Sequence, residues 1–153
     1  MKPRWHGARH SKARLDAVAS GYRSGLEAGI AADLEARGVK FEYEKRTIRY
    51  VRPVRSGHCG DCGSKSVGKW CVYTPDFEIP GAILVESKGR FTGSDRTKLA
   101  AIKLQHPSLD LRILFAVDNW TTKLHKQRYS DWATKHGLVF AVGKVIPREW
   151  LEG

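Results

Sequence analysis

The chain has 153 residues, enough to bury one real core but short for two domains. Its residues are 41% hydrophobic, with five Trp, five Tyr and five Phe, which argues against disorder, and no run approaches the roughly 18 apolar residues of a membrane span. Lys and Arg number 27 against 16 Asp and Glu, a formal net charge of +11 spread along the whole chain. A polyanion partner follows, and nucleic acid is favoured over a membrane surface because no long basic amphipathic helix stands out.

Residues 1–20 mix Lys, Arg, His and Gly with little apolar periodicity and read as a basic arm suited to phosphate contact. They hold no continuous apolar core of the kind a secretion signal needs, so the cytoplasm is the expected compartment. Residues 21–153 are read as one domain. Leu26, Ile30 and Leu34 recur at helical spacing, Ser24 stands where a cap belongs and Gly38 where a C′ glycine belongs; a helix is predicted over 25–37. "VKFEYEKRTIRYVRPV" is rich in β-branched and aromatic residues and is expected to be a long strand or hairpin ending at Pro53.

"RSGHCGDCGSKSVGKWC" carries all three cysteines among Gly and Ser and reads as an insert over 55–72. "GAILVESKG" is the next strand. A helix follows, with Ser94 as cap, Leu99 and Ile102 as its apolar stripe and Pro107 as its stop. "LDLRILFAVD" is a strand buried on both faces, "YSDWATKHG" a short helix capped at Ser130, and "LVFAV" a last strand. Pro147 opens a final helical turn. This order fits an α/β domain with a mixed sheet.

The chemistry is concentrated in "TPDFEIPGAILVESKGR". Side chains alternate faces along a strand, so Glu86 and Lys88 point the same way, and the turn at "EIPG" lets Asp76 return to the same strand end. Two converging carboxylates suit a hard divalent cation such as Mg²⁺ or Mn²⁺. A lysine beside them can steady phosphoryl charge or position an attacking water. The plainer alternative is a surface Glu–Lys pair and an unrelated turn aspartate.

This pattern resembles the PD-(D/E)xK nucleases, the restriction-endonuclease-like superfamily. More closely, "RSGLE", "GVKFEYE", "YTPDF", "VESKG", "QHPSLDLRILF", "KHGLVFA" and "IPREW" are similar to segments of the bacteriophage endonuclease I family of Holliday-junction resolvases. That resemblance implies a restriction-endonuclease-like mixed sheet flanked by helices, and a site of Glu27, Asp76, Glu86 and Lys88. Glu27, Asp76 and Glu86 would hold Mg²⁺ or Mn²⁺, two ions per site. By residue pattern alone, Glu27 is the acid of an S-x-x-E capping box begun by Ser24.

The resemblance also implies an intertwined homodimer that exchanges its first helix, each site taking its glutamate from the other chain, with branched double-stranded DNA as partner and no membrane. Lys45, Arg46, Arg49, Arg52, Arg90, Arg96, Lys98 and Lys123 form the candidate set of phosphate contacts. The cysteine segment departs from the family, where a short linker is expected. Cys59, Cys62 and Cys71, with His58 as nearest fourth ligand and His6 or His10 as alternatives, suit a structural Zn²⁺; three reduced thiols in a loop are the other reading. Two further functional readings stay open: a sequence- or mismatch-directed nickase on the same fold, and a zinc-stabilised DNA-binding module without catalysis.

Overall fold

The computed structural model describes residues 12–53 and 68–152, with side chains from residue 16 onward. Helix α1 spans Lys12–Ala19, in a stretch whose sequence shows little apolar periodicity, and its Ala17 is buried. Helix α2 spans Gly25–Ala36. Ser24 caps it in extended backbone, its Oγ accepting the Glu27 N–H at 3.2 Å. Gly38 ends it at φ +67°, with Gly38 N–H donating to the Glu35 carbonyl and Val39 N–H to the Leu34 carbonyl. That pair of bonds closes the helix C-terminus and needs a left-handed residue, which glycine supplies without strain.

The strands are β1 (Glu42–Tyr43), β2 (Ile48–Pro53), β3 (Gly68–Tyr73), β4 (Phe77–Ile79), β5 (Ile83–Lys88), β6 (Leu111–Phe115) and β7 (Val139–Val142). A five-stranded mixed sheet has the order β1-β4-β5-β6-β7, so β5 is its central strand. β1, β4 and β5 pair antiparallel; β5, β6 and β7 run parallel. Parallel neighbours require crossovers, and α3 (Gly93–Gln105) and α4 (Tyr129–Lys135) supply them.

The sheet buries both faces, as the continuous apolar runs of β5 and β6 require. Ile83 and Val85 of β5 pack with Leu114 against Ile30, Ala31 and Leu34 of α2. Leu84, Ile113 and Phe115 pack on the opposite face with Leu99 and Ile102 of α3 and Trp132 of α4. Helices therefore flank a central mixed sheet, and the alternation along β5 puts Glu86 on the α3 face and Ser87 on the α2 face.

The long strand expected over "VKFEYEKRTIRYVRPV" is divided between two sheets. Glu44 turns the chain at φ +48° after its N–H bonds the Asp76 carbonyl at 3.0 Å, so β1 stays with β4 while β2 leaves to pair with β3. The segment 68–72, assigned to the insert from its sequence, is strand β3, which extends the hairpin to the register pair Pro53 and Gly68. Gln105 docks this hairpin on α3, its amide accepting from the Val51 N–H at 2.7 Å and donating to the Val51 carbonyl at 2.8 Å. That bidentate contact satisfies the free edge of β2 as a neighbouring strand would.

Two caps differ from the sequence reading. Thr92 caps α3 in place of Ser94, because Thr92 and Asp95 bond reciprocally in a capping box. Arg128 occupies the cap position of α4. Ser130 lies inside that helix, where its hydroxyl donates to Asp118 at 2.6 Å. Pro147 precedes the predicted final turn, a 3-10 turn at Arg148–Trp150. Among the described residues, no helix is long and apolar enough to cross a membrane.

Candidate active site

The site lies at the C-terminal end of the central strand. Glu86 is 2% exposed, and each of its oxygens is occupied. Oε2 accepts from the Tyr73 hydroxyl at 2.7 Å; Oε1 takes the Lys88 ammonium at 2.9 Å and the Lys98 ammonium at 3.3 Å. Alternation along β5 brings Lys88 to the same face, as the E-x-K spacing predicts. Its Nζ also reaches Asp95 Oδ1 at 3.2 Å. Burial alone would depress the Lys88 pKa, but Glu86 and Asp95 outweigh it and hold the amine charged well above its ordinary range.

Asp76 precedes β4, and continuing the Phe77–Val85 register by one step sets it across from Glu86. Its Oδ2 accepts from the Ser87 N–H at 2.7 Å and the Ser87 hydroxyl at 2.8 Å. The residue is 8% exposed. Burial first, and then the Glu86 charge, push its pKa from 3.8 up to about 7 despite the two Ser87 bonds, with Glu27 adding to the rise. Tyr73 is likewise driven well above its usual value, by burial and then by Glu86.

Glu27 is 9% exposed on the first turn of α2, which packs on the face opposite α3. Its carboxylate accepts from the Tyr43 hydroxyl, from the Ser24 hydroxyl at 2.8 Å and from the Arg23 N–H at 3.2 Å. The capping box read from the sequence is thus half formed: Ser24 caps Glu27, while Glu27 answers to Arg23. Within this one chain Glu27 reaches the neighbourhood of Asp76 from its own polypeptide. Among the described residues, no three His, Cys, Asp or Glu side chains are grouped to hold a metal ion. Glu27 keeps to its cap and does not join Asp76 and Glu86 in a three-carboxylate cluster.

Asp76 and Glu86 do fit a hard divalent cation by the chemistry of their donors. Both carboxylates are buried at one strand end, and Mg²⁺ characteristically uses one or two carboxylates and keeps waters for its other positions.

The candidate phosphate contacts divide by place. Lys98 sits in the site itself, with its ammonium 5.0 Å above the Tyr73 ring. Arg90 and Lys123 are exposed on the two sides of a cleft of about 540 Å³ between the loop after β5 and the loop after β6, one step beyond Lys88. Arg96 donates to the Phe91 carbonyl at 2.9 Å; Arg52 donates to Ser94 at 2.9 Å. Arg49 lies over Trp70, Arg46 pairs with Glu78 at 3.0 Å and Lys45 with Glu42 at 3.7 Å. Cys59, Cys62, His58, His6 and His10 lie outside the described residues. Cys71 faces inward on β3, half-buried beside the Tyr50 hydroxyl.

Sequence reasoning passed over Tyr73, Ser87 and Asp95. Two of them left signals: "T-x-x-D" over 92–95 is a capping box, and Tyr73 alternates with Cys71 toward the core. Ser87 left none, since its role depends on Asp76 folding back across the sheet.

Fold and site together define a mixed α/β protein with a buried acidic, lysine-bearing centre at the end of its middle strand. The model of the phage endonuclease I family matches residues 8–153. Endonuclease I of Escherichia phage T7 is 42% identical over 134 residues, covering 86% of this chain and 78% of the relative. Endodeoxyribonuclease 1 of Enterobacteria phage T3 is 40% identical over 129 residues, covering 82% and 74%. The chain belongs to the phage endonuclease I family.

Proposed function

We propose that this endonuclease is a divalent-metal-dependent endodeoxyribonuclease that hydrolyses phosphodiester bonds in branched DNA, resolving four-way junctions by paired nicks. The observation that carries the reading is Asp76, a carboxyl 8% exposed, opposed to Glu86 and raised to about 7. Such an arrangement is unfavourable in isolation and is relieved by a cation. The names of the T7 and T3 relatives and the net charge of +11 support DNA as substrate.

Asp76 and Glu86 would hold Mg²⁺ or Mn²⁺, two ions per site when fully loaded. When bound, the cation supplies polarisation of the phosphoryl oxygen and charge for the leaving oxygen. The chain's own residues do the rest. Lys88, charged and fixed between Glu86 and Asp95, faces the scissile phosphate and stabilises its developing charge. Ser87 orients Asp76, Tyr73 orients Glu86, and the charge of Glu27 acts on Asp76 from the α2 side.

Paired nicks require two sites, and a homodimer in the host cytoplasm supplies them about a two-fold axis that matches the substrate's symmetry. An exchanged α2 would make the same contacts between chains that it makes within one here. Arg90 and Lys123 would carry the flanking phosphates along the cleft. A structural Zn²⁺ on Cys59, Cys62, His58 and Cys71 belongs to the same proposal, and metal analysis of chelator-free protein tests it: about one zinc per chain is expected.

Substitution tests the catalytic roles. Asp76→Ala and Lys88→Ala should leave junction binding intact and reduce cleavage about a hundredfold or more. Undiminished cutting by either variant refutes the assignment.

A further inference from the structure

Both oxygens of Glu86 already hold donors, and Oε1 holds two. Its Oε2 holds the Tyr73 hydroxyl at 2.7 Å, and its Oε1 is shared by two ammonium groups, Lys88 at 2.9 Å and Lys98 at 3.3 Å. A divalent cation that ligates Oε1 must therefore displace one of its two ammonium groups. The three donors are not held equally.

Tyr73 is 2% exposed and fixed in the core beneath the sheet. Lys88 has a second anion, Asp95 at 3.2 Å, and that aspartate is itself fastened by the Thr92 N–H at 2.8 Å and hydroxyl at 2.7 Å. Lys98 has Glu86 as its one carboxylate partner among the described residues, at the longest of the three distances. Its side chain is also the more exposed of the two lysines, 27% against 18% for Lys88. It projects from α3 rather than from the sheet, so it can turn toward solvent without moving β5.

We propose that Lys98 is an exchangeable counter-ion: its ammonium holds the metal's place on Glu86 Oε1, leaves when a divalent cation binds, and turns outward to a substrate phosphate. This rests on the metal reading above. Without metal, Lys98 keeps a buried carboxylate neutralised and the site folded; with metal, the released charge stays within reach of a phosphate. The exchange makes cation and lysine competitors for one oxygen.

Mn²⁺ titration of DNA-free protein, followed by calorimetry or by the loss of free Mn²⁺ paramagnetic signal, reads the competition without any cleavage step. Lys98→Met keeps the aliphatic stem over Tyr73 and removes the competitor, so Mn²⁺ should bind about tenfold more tightly than to the native protein. Lys98→Gln should do the same if Met perturbs packing, and Lys98→Arg, which retains a competing cation, should bind no tighter than native. Equal or weaker Mn²⁺ binding by both neutral variants overturns the proposal. Glu86→Gln separates the two layers. If it abolishes Mn²⁺ binding while Lys98→Met changes nothing, only the exchange fails; if it leaves Mn²⁺ binding intact, or the native protein binds none, the metal reading fails and the exchange with it.

Discussion

Lys88 and Asp95 form an ion pair of 3.2 Å that ties the central strand β5 to the first turn of the helix after it. The two oxygens of Asp95 are divided between two tasks: Oδ2 closes the capping box with Thr92, and Oδ1 holds the ammonium of Lys88. Burial alone would raise the Asp95 pKa, but the bonds from Thr92 and the charge of Lys88 together outweigh it and keep it below its ordinary value.

Division of labour within Asp95 makes two substitutions informative. Asp95→Asn can keep the cap and loses the ion pair, so cleavage should fall while the melting temperature changes little. Asp95→Ala removes both, and should cost in addition about 0.5–2 kcal/mol of stability. Thermal melts together with single-turnover cleavage distinguish the two; equal stability of the two variants would contradict the assignment.

Tyr73→Phe leaves Glu86 Oε2 buried without its donor. The expected loss is about 1–3 kcal/mol of stability and a reduced cleavage rate at unchanged DNA affinity. Denaturant melts and binding titrations check both parts.

Asp76 sets the pH dependence of stability. Its carboxyl is raised from 3.8 to about 7 on folding, so over that interval the folded chain holds a proton that the unfolded chain has released. Stability therefore falls as pH rises from about 4 to about 7, by up to a few kcal/mol. Asp76→Asn removes this titration. In chelator, the variant should match the native protein near pH 4 and exceed its melting temperature by about pH 8, the gap opening through that window. Added Mg²⁺ should narrow the gap by stabilising only the native site. A native protein more stable than the variant at high pH in chelator would contradict the account.

Gln105→Ala unfastens the hairpin from α3 by removing both bonds to Val51. About 1–2 kcal/mol should be lost, with faster amide exchange in β2 as the specific sign.

Local signals carried much of the fold. Ser24 and Gly38 bracket α2 as their chemistry demands, and the short apolar run of "GAILVESK" marks β5 and with it Glu86 and Lys88. The elements that escaped depend on distant partners. β3 has no apolar stripe because Trp70 and Val72 face solvent, and it exists through pairing with β2. The break at Glu44 follows from the bond to Asp76, 32 residues away, which no local propensity encodes. The same holds for the site. Glu86 and Lys88 share a strand and were legible; the bonds from Ser87 to Asp76 and from Lys98 to Glu86 arise only when β4 and α3 are packed beside β5.

The central claim is that Asp76, Glu86 and Lys88 form a metal-dependent cutting centre directed at branched DNA. Mapping cuts on every strand of a synthetic four-way junction, with and without Mg²⁺ and beside a linear duplex of the same sequence, tests it most directly. The account predicts symmetric paired nicks near the branch point only when Mg²⁺ is present, and none at matching positions in the duplex. Cutting that proceeds without a divalent cation, or that falls equally on junction and duplex, contradicts it.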